Sequence, residues 1–281
     1  MQRTLLQDMP PDALAAAQPN IVASLIVESS RAEKPRPLIH LGTVAGKNVD
    51  PANTAPVCAL GIPVSGNVAW HEVGHLDLQT AAMERALFAG MSVLAMKHVR
   101  EADVQIGDAV LVVGADPWSL LLLQWAKLQG ASPLVYVRRG PHSLSEQAAS
   151  FGVDAQLSDP TASDLARAVK LTHRGGGFAV VLDAIASEQS MTQSLSTLRD
   201  GGRYMLAGID PQPHVLLNAY PDLHRRDLEM VAAPYSPMDP DFADRFRFSL
   251  KLADEQRLQL DRLLDPSCGW RVEGRDRTLI A

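Results

Sequence analysis

The chain has 281 residues, of which 46% are hydrophobic and 21% charged, and a formal net charge of −6. That length buries a sizeable core, as one large domain or two smaller ones. The acidic balance excludes a nucleic-acid binder, whose phosphate partner calls for a basic face, and a polybasic membrane anchor.

The longest apolar runs, such as Ala109–Val113 and Leu120–Leu123, fall far short of the ~20 residues of a membrane-spanning helix. The start "MQRTLLQDMPPDALAAA" has no apolar stretch with a cleavage site and does not read as a signal peptide. Two cysteines, Cys58 and Cys268, make neither a disulfide framework nor a metal knuckle. The expectation is a cytoplasmic protein with no membrane or nucleic-acid partner.

Residues 1–68 carry weak periodicity and many Pro, Gly and Asn breakers, with a strand-like run at Leu38–Leu41, and read as a small β-rich module. At its end stands "AWHEVGHLDL". His71, Glu72 and His75 spell H-E-x-x-H, which binds zinc when helical, because residues at i and i+4 then share a face. Here Val64–Val73 contains Gly66 and ends at Gly74, so it reads as strand and turn. No third ligand follows at metzincin spacing, and Glu84 lies in the next helix. Chance is the better explanation of the motif, and no metal site is assigned.

"LQTAAMERALFAGMSVLAMKHV", Leu78 to Val99, is a helix rich in Ala, Leu and Met, with Asp77 as its cap. After Gly107 strands and helices alternate. "AVLVVGA" is a buried strand, and "PWSLLLLQWAKLQG" a helix with Gly130 as its C-terminal cap. "PLVYVRR" is a strand and "LSEQAASFG" a helix, then "DAQLS" a strand and "SDLARAVKLTH" a helix. "FAVVLDAI" is a strand, "SEQSMTQSLSTLRD" a helix and "GRYMLAGI" a strand. "DLEMVAAP" adds a sixth strand, and "PDFADRFRFSLKLADEQ" a helix. Near-continuous apolar strands alternating with helices specify a parallel sheet covered on both faces, a doubly wound α/β domain.

In such a domain the first strand-to-helix turn is where a dinucleotide pyrophosphate sits. Its G-x-G-x-x-G fingerprint is replaced by Gly114-Ala115-Asp116-Pro117-Trp118-Ser119. Gly114 makes the tight turn, and Ser119 is a small change at the third glycine. Asp116 puts a carboxylate where the diphosphate belongs, a repulsion of ~4 kcal/mol at the effective dielectric near a protein surface. It escapes that repulsion by turning outward or by pairing with a cation. Trp118 stands where a slim aliphatic residue belongs, and either fills space left by a missing cofactor or caps the core. At the end of the second strand, Arg138 and Arg139 replace the carboxylate that binds ribose hydroxyls. Cations there hold a 2′-phosphate and favour NADP(H), unless both are solvated strand-end residues.

The succession "VQIGDAVLVVGADPWSLLLLQWAKLQGA", "FGVDAQLSD", "VVLDAIAS" and "LRDGGRYMLAGI", from Val68 to about Leu263 with its flanks, resembles the cofactor domain of the medium-chain dehydrogenase/reductase superfamily. The resemblance implies a Rossmann domain joined to a GroES-like catalytic domain, hydride transfer with NAD(P)(H), and a homodimer built by pairing cofactor-domain sheets. It puts Gly114, Pro117 and Trp118 on the pyrophosphate turn and Arg138 and Arg139 on the adenosine ribose. It puts Ala184, Ile185, Ala207 and Gly208 along the nicotinamide. The Cys and G-H-E motifs of the family's catalytic zinc and the cysteine cluster of its structural zinc are missing.

The expected organisation is a reduced GroES-like β-rich module at 1–77, a Rossmann-type domain with its lead-in helix at 78–235, and a return segment at 236–281. The expected function is zinc-independent hydride transfer between NADP(H) and a small carbonyl, enone or alcohol. The alternative is a member that has lost the dinucleotide and does non-redox chemistry or only binds a small molecule or partner. His40, His98 and His173 lack partners at meaningful spacing and read as structural. Lys97 and Arg100 read as solvated rather than substrate-binding. No G-x-S-x-G elbow occurs, and no proton donor is identified.

Overall fold

The computed structural model describes residues 20–29, 37–45, 57–64, 67–75, 80–114, 116–139, 143–208, 215–233, 240–264 and 270–276. The chain divides into two compact units. One is Met1–Val93 with Ser236–Glu255 and Gly269–Ala281; the other is Leu94–Tyr235 with Gln256–Cys268.

The first unit carries an antiparallel sheet in the order β11-β1-β2-β3-β4. Its strands are β1 (Asn20–Ser29), β2 (Pro37–Ala45), β3 (Val57–Val64), β4 (Asn67–His75) and β11 (Trp270–Asp276). The expected β-rich module is therefore closed by a strand from the far end of the chain. "HEVGH" lies on β4, with His71 paired to Leu60 and His75 to Val57, and the register slips between Cys58 and Ala59. Four residues of strand separate two Cα atoms by roughly 13 Å, against the 5–6 Å spacing of i and i+4 side chains on a helix. The helical geometry that makes this motif a zinc site is absent.

The lead-in helix α1 runs Thr80–Glu101, and the expected cap, Asp77, lies outside the described residues. Among the described residues no helix is long and apolar enough to cross a membrane.

The second unit is the doubly wound domain. Its parallel sheet has the order β10-β9-β8-β5-β6-β7. The strands are β5 (Val110–Gly114), β6 (Leu134–Arg138), β7 (Ala155–Ser158), β8 (Phe178–Asp183), β9 (Leu198–Leu206) and β10 (Glu229–Ala232). The helices between them are α2 (Pro117–Leu128), α3 (Ser143–Ser150), α4 (Ala162–Val169), α5 (Glu188–Thr197) and the one-turn α6 (Ala219–Asp222); α7 (Phe242–Asp254) belongs to the first unit. Every residue of β5, β6 and β8 is buried, as strands packed on both faces must be.

Helix α2 is buried from Pro117 to Ala126, the signature of a helix apolar all round. It ends where expected, with Gly130 at φ +90° beyond its last turn; that left-handed conformation suits glycine. Two boundaries differ from the sequence reading, the first being the helix read to His173, which stops at Val169. The helix expected to reach Asp200 stops at Thr197, and β9 begins at Leu198, paired with Phe178. Gly177, at φ +106°, brings its backbone so close to Leu198 and Arg199 that a Cβ would sit 2.6 Å from the Arg199 nitrogen. That approach holds the segment extended.

The sheet order reverses between β5 and β8, and parallel sheets of this kind bind ligands in the crevice beyond the strand ends at such a point. Register gathers the candidate residues there. Gly114 pairs with Arg138, and Arg138 with Ser158; Val113 pairs with Asp183, and Asp183 with Leu206.

Candidate functional site

The turn after β5 is built around a close approach. A Cβ on Gly114 would lie 1.9 Å from the Ser119 Cβ. The serine is accommodated because residue 114 has no side chain. Ser119 Oγ donates to the Asp116 carbonyl at 2.6 Å and shares a 2.9 Å bond with the Tyr136 hydroxyl from β6.

Asp116 takes a course different from the two expected. Its backbone is extended at φ −156°, and its carboxylate caps α2 by accepting from the Ser119 amide at 3.2 Å, with the residue only 6% exposed. Asp as N-cap followed by Pro at the first helical position is a recognised helix start, and "DPWS" carried that signal in the sequence. The consequence for an anion is direct. Pro117 has no N–H, and the Ser119 N–H already serves Asp116, so two of the first-turn donors that normally face a diphosphate are spent.

Trp118 is buried. Its indole N–H donates to the Ala207 carbonyl at 2.6 Å, and its ring meets His98 of α1 edge-on, with centroids 5.3 Å apart at 87°. His98 therefore has a ring partner that sequence spacing did not reveal. Its Nδ1 donates to the Leu94 carbonyl at 2.8 Å.

Burial lowers the His98 pKa below the ordinary 6.5, outweighing the Leu94 hydrogen bond; Lys97 lowers it further and Glu101 raises it. The folded state thus holds this proton less tightly than the unfolded chain, so stability falls as pH drops below the unfolded value. Unfolding measured across that acid limb should show the loss in the native chain and a flatter profile in His98→Phe.

Arg138, at the end of β6, is 1% exposed. Its Nε donates to Ser158 Oγ at 3.3 Å, and its guanidinium pairs with Asp159 at 3.4 Å. Among the described residues, one of its terminal nitrogens is buried without a partner. Arg139 donates through its backbone to the Gly114 carbonyl at 2.8 Å, and its guanidinium reaches Gln193 of α5. Its Nε is likewise buried and unpartnered. Neither arginine is a solvated strand end. An open groove of about 560 Å³, lined by Ser187, Glu188, Gln189, Thr192 and Gln193, adjoins that contact at the start of α5.

Ala184 and Ile185 leave β8 in a turn that Asp183 organises. The Asp183 carboxylate, fully buried, accepts from the Ile185 and Ala186 amides at 2.9 Å each and from the Tyr204 hydroxyl at 2.6 Å. Burial, and then the carboxylate itself, push the Tyr204 phenol far above its usual pKa, so it stays a donor. Ala186 sits at φ +51°, and a Cβ on Gly208 would be 2.8 Å from its methyl. The two segments that carry Ala184, Ile185, Ala207 and Gly208 are therefore packed together. Asp183 and Tyr204 were missed in the sequence. The available signal was a carboxylate ending an apolar strand, "VVLD", with a tyrosine inside the neighbouring apolar strand, "RYML".

His173 opens an exposed single turn, and Arg100 is exposed; His40 lies on β2. Among the described residues no group of three or more His, Cys, Asp or Glu could hold a metal ion.

A dinucleotide fits this crevice unevenly. The β6 side offers two guanidinium nitrogens that lack partners, whereas the mouth of β5 presents a carboxylate, a proline and an indole.

Residues 119–245 match the family model described as zinc-binding dehydrogenase. L-arabinitol 4-dehydrogenase of Aureobasidium melanogenum is 27% identical over 144 residues, 50% of this chain and 37% of that protein. The chain spans less than half the length of the curated relatives it matches. Among solved structures, an alcohol dehydrogenase from Thermus sp. ATN1 superposes with a TM-score of 0.63 at 20% identity, over 87% of this chain and 85% of that one. A zinc-binding dehydrogenase of Sinorhizobium meliloti bound to NADP gives a TM-score of 0.63 at 17% identity, over 87% and 84%. The family model over residues 119–245 and the fold around it make the chain similar to these dehydrogenases.

Proposed function

We propose that this protein is a zinc-independent oxidoreductase that uses NADP(H) on a small carbonyl, enone or alcohol. The observation that carries the cofactor choice is the Arg138–Arg139 pair, with two buried guanidinium nitrogens unpartnered at the end of β6. Buried donors of this kind need an acceptor, and a 2′-phosphate offers charge-assisted ones. Solved structures of similar fold hold NADP in one case and NADH in another, which supports a nicotinamide dinucleotide of either kind. When bound, the cofactor supplies the hydride chemistry. The chain's own contributions are the cationic end of the crevice and the Asp183–Tyr204 pair that fixes the turn at Ala184 and Ile185.

Zinc independence rests on the ligand set. The sequence holds two cysteines, and its one H-E-x-x-H lies on a strand. We place the protein in the cytoplasm, as a homodimer whose sheets pair at an edge such as β10, the outer strand of the six-stranded sheet.

A second reading, a member that has given up the dinucleotide for non-redox chemistry or binding alone, is favoured by Asp116 and Trp118. One assay separates the two. Chelator-treated protein is mixed with NADPH and a panel of small aldehydes, ketones and enones, and loss of the reduced nicotinamide absorbance is followed. Turnover that survives chelation and is lost in Arg139→Ala is the expected result. No turnover, together with no NADPH binding at about millimolar concentration, favours the second reading.

A further inference from the structure

The two sides of the reversal point are unlike. Trp118 is rooted just beyond β5, and its indole ends on Ala207, which follows β9. In the order β9-β8-β5 that reach covers two strand spacings, roughly 9–10 Å. The indole therefore lies across the end of β8, on the line where the sheet order reverses. It is anchored twice, by its bond to Ala207 and by the edge-on His98 ring. On the other side the crossing is made by Arg139, which passes from β6 over the end of β5 to Gln193. That side presents cationic donors lacking partners.

We propose that Trp118 fills the β8–β9 half of this crevice, so that the site takes an adenosine nucleotide bearing a 2′-phosphate and admits the nicotinamide half of NADP(H) only when the indole leaves Ala207. The inference rests on the NADP(H) reading for its cationic end. An anion gains hydrogen bonds on the β6 side. A ring entering the β9 side must first break the Trp118–Ala207 bond and displace a buried indole. The short ligand therefore binds without displacing the indole, and the long one carries the cost of opening. Trp118 acts here as a specificity-determining residue.

The test is calorimetric titration of adenosine 2′,5′-bisphosphate and of NADPH against the native chain and Trp118→Val. The native chain should bind the bisphosphate at least as tightly as NADPH. Trp118→Val should tighten NADPH by about tenfold, the factor a single buried hydrogen bond carries, and leave the bisphosphate unchanged. Trp118→Phe keeps a smaller aromatic ring and removes the N–H. It guards against a folding failure of the valine variant and should tighten NADPH by a smaller factor. If the bisphosphate binds but both variants leave NADPH unchanged or weaken it, the indole is not in the path, and this inference falls while the NADP(H) reading stands. If the bisphosphate binds neither the native chain nor the variants, both fall.

Discussion

Gly114→Ala is expected to destabilise the doubly wound unit by about 3 kcal/mol, the upper range for overpacking a tight contact. That corresponds to roughly 5–10 °C in melting temperature for a unit of this size. The added methyl would lie 1.9 Å from the Ser119 Cβ and 2.1 Å from its Oγ, and neither can retreat easily. Ser119 is fully buried, in the first turn of α2, with its hydroxyl committed to Asp116 and Tyr136. Strand and helix would have to separate. The double variant Gly114→Ala/Ser119→Gly should regain part of the loss, because it moves the missing side chain from one partner to the other. Full recovery is not expected, since the Tyr136 hydrogen bond goes with the serine. Thermal unfolding of the two variants beside the native chain checks this. A Gly114→Ala chain as stable as the native one would mean that the strand and helix do not approach as described.

Asp183→Ala should cost about 4 kcal/mol in urea unfolding, because it strands three donors in a dry site, each worth about 1–3 kcal/mol when left without a partner. The donors are the Ile185 and Ala186 amides and the Tyr204 hydroxyl. Tyr204→Phe removes one of them and should cost less, about 1–2 kcal/mol. The readout that separates positioning from general stability is local. Hydrogen exchange at the Ile185 and Ala186 amides should accelerate in Asp183→Ala well beyond the change in global stability, and hold near native in Tyr204→Phe. Equal acceleration in both variants would assign the turn's rigidity to packing rather than to the carboxylate.

The sheet was legible because periodicity is a strong signal where strands are buried on both faces. "LVVG", "LVYVR" and "FAVVLD" contain almost nothing polar, and the helices between them carry their caps in the sequence. The site was legible only by position. Arg138, Arg139, Ala184 and Ala207 could be placed at strand ends, but their partners lie far off in sequence. Trp118 meets Ala207 across 89 positions, and Arg139 meets Gln193 across 54. Local pattern contains no term for such contacts. Asp116 is the instructive case. Charge alone predicted a conflict with a diphosphate, and the residue has a helix to cap. Both statements are true of the same carboxylate, and the cap decides where it points.

The β6 end of the crevice is the proposed 2′-phosphate site. Its most direct test is the ratio of NADPH to NADH affinity, measured by titration on the native chain and on Arg139→Ala, with Arg138→Gln as a second variant that keeps part of the buried packing. NADPH should bind more tightly than NADH by about a hundredfold, the scale of charge-assisted hydrogen bonds from two guanidinium groups, and the ratio should fall to about tenfold once either arginine is replaced. Equal affinities in the native chain, or tighter binding of NADH, would contradict it.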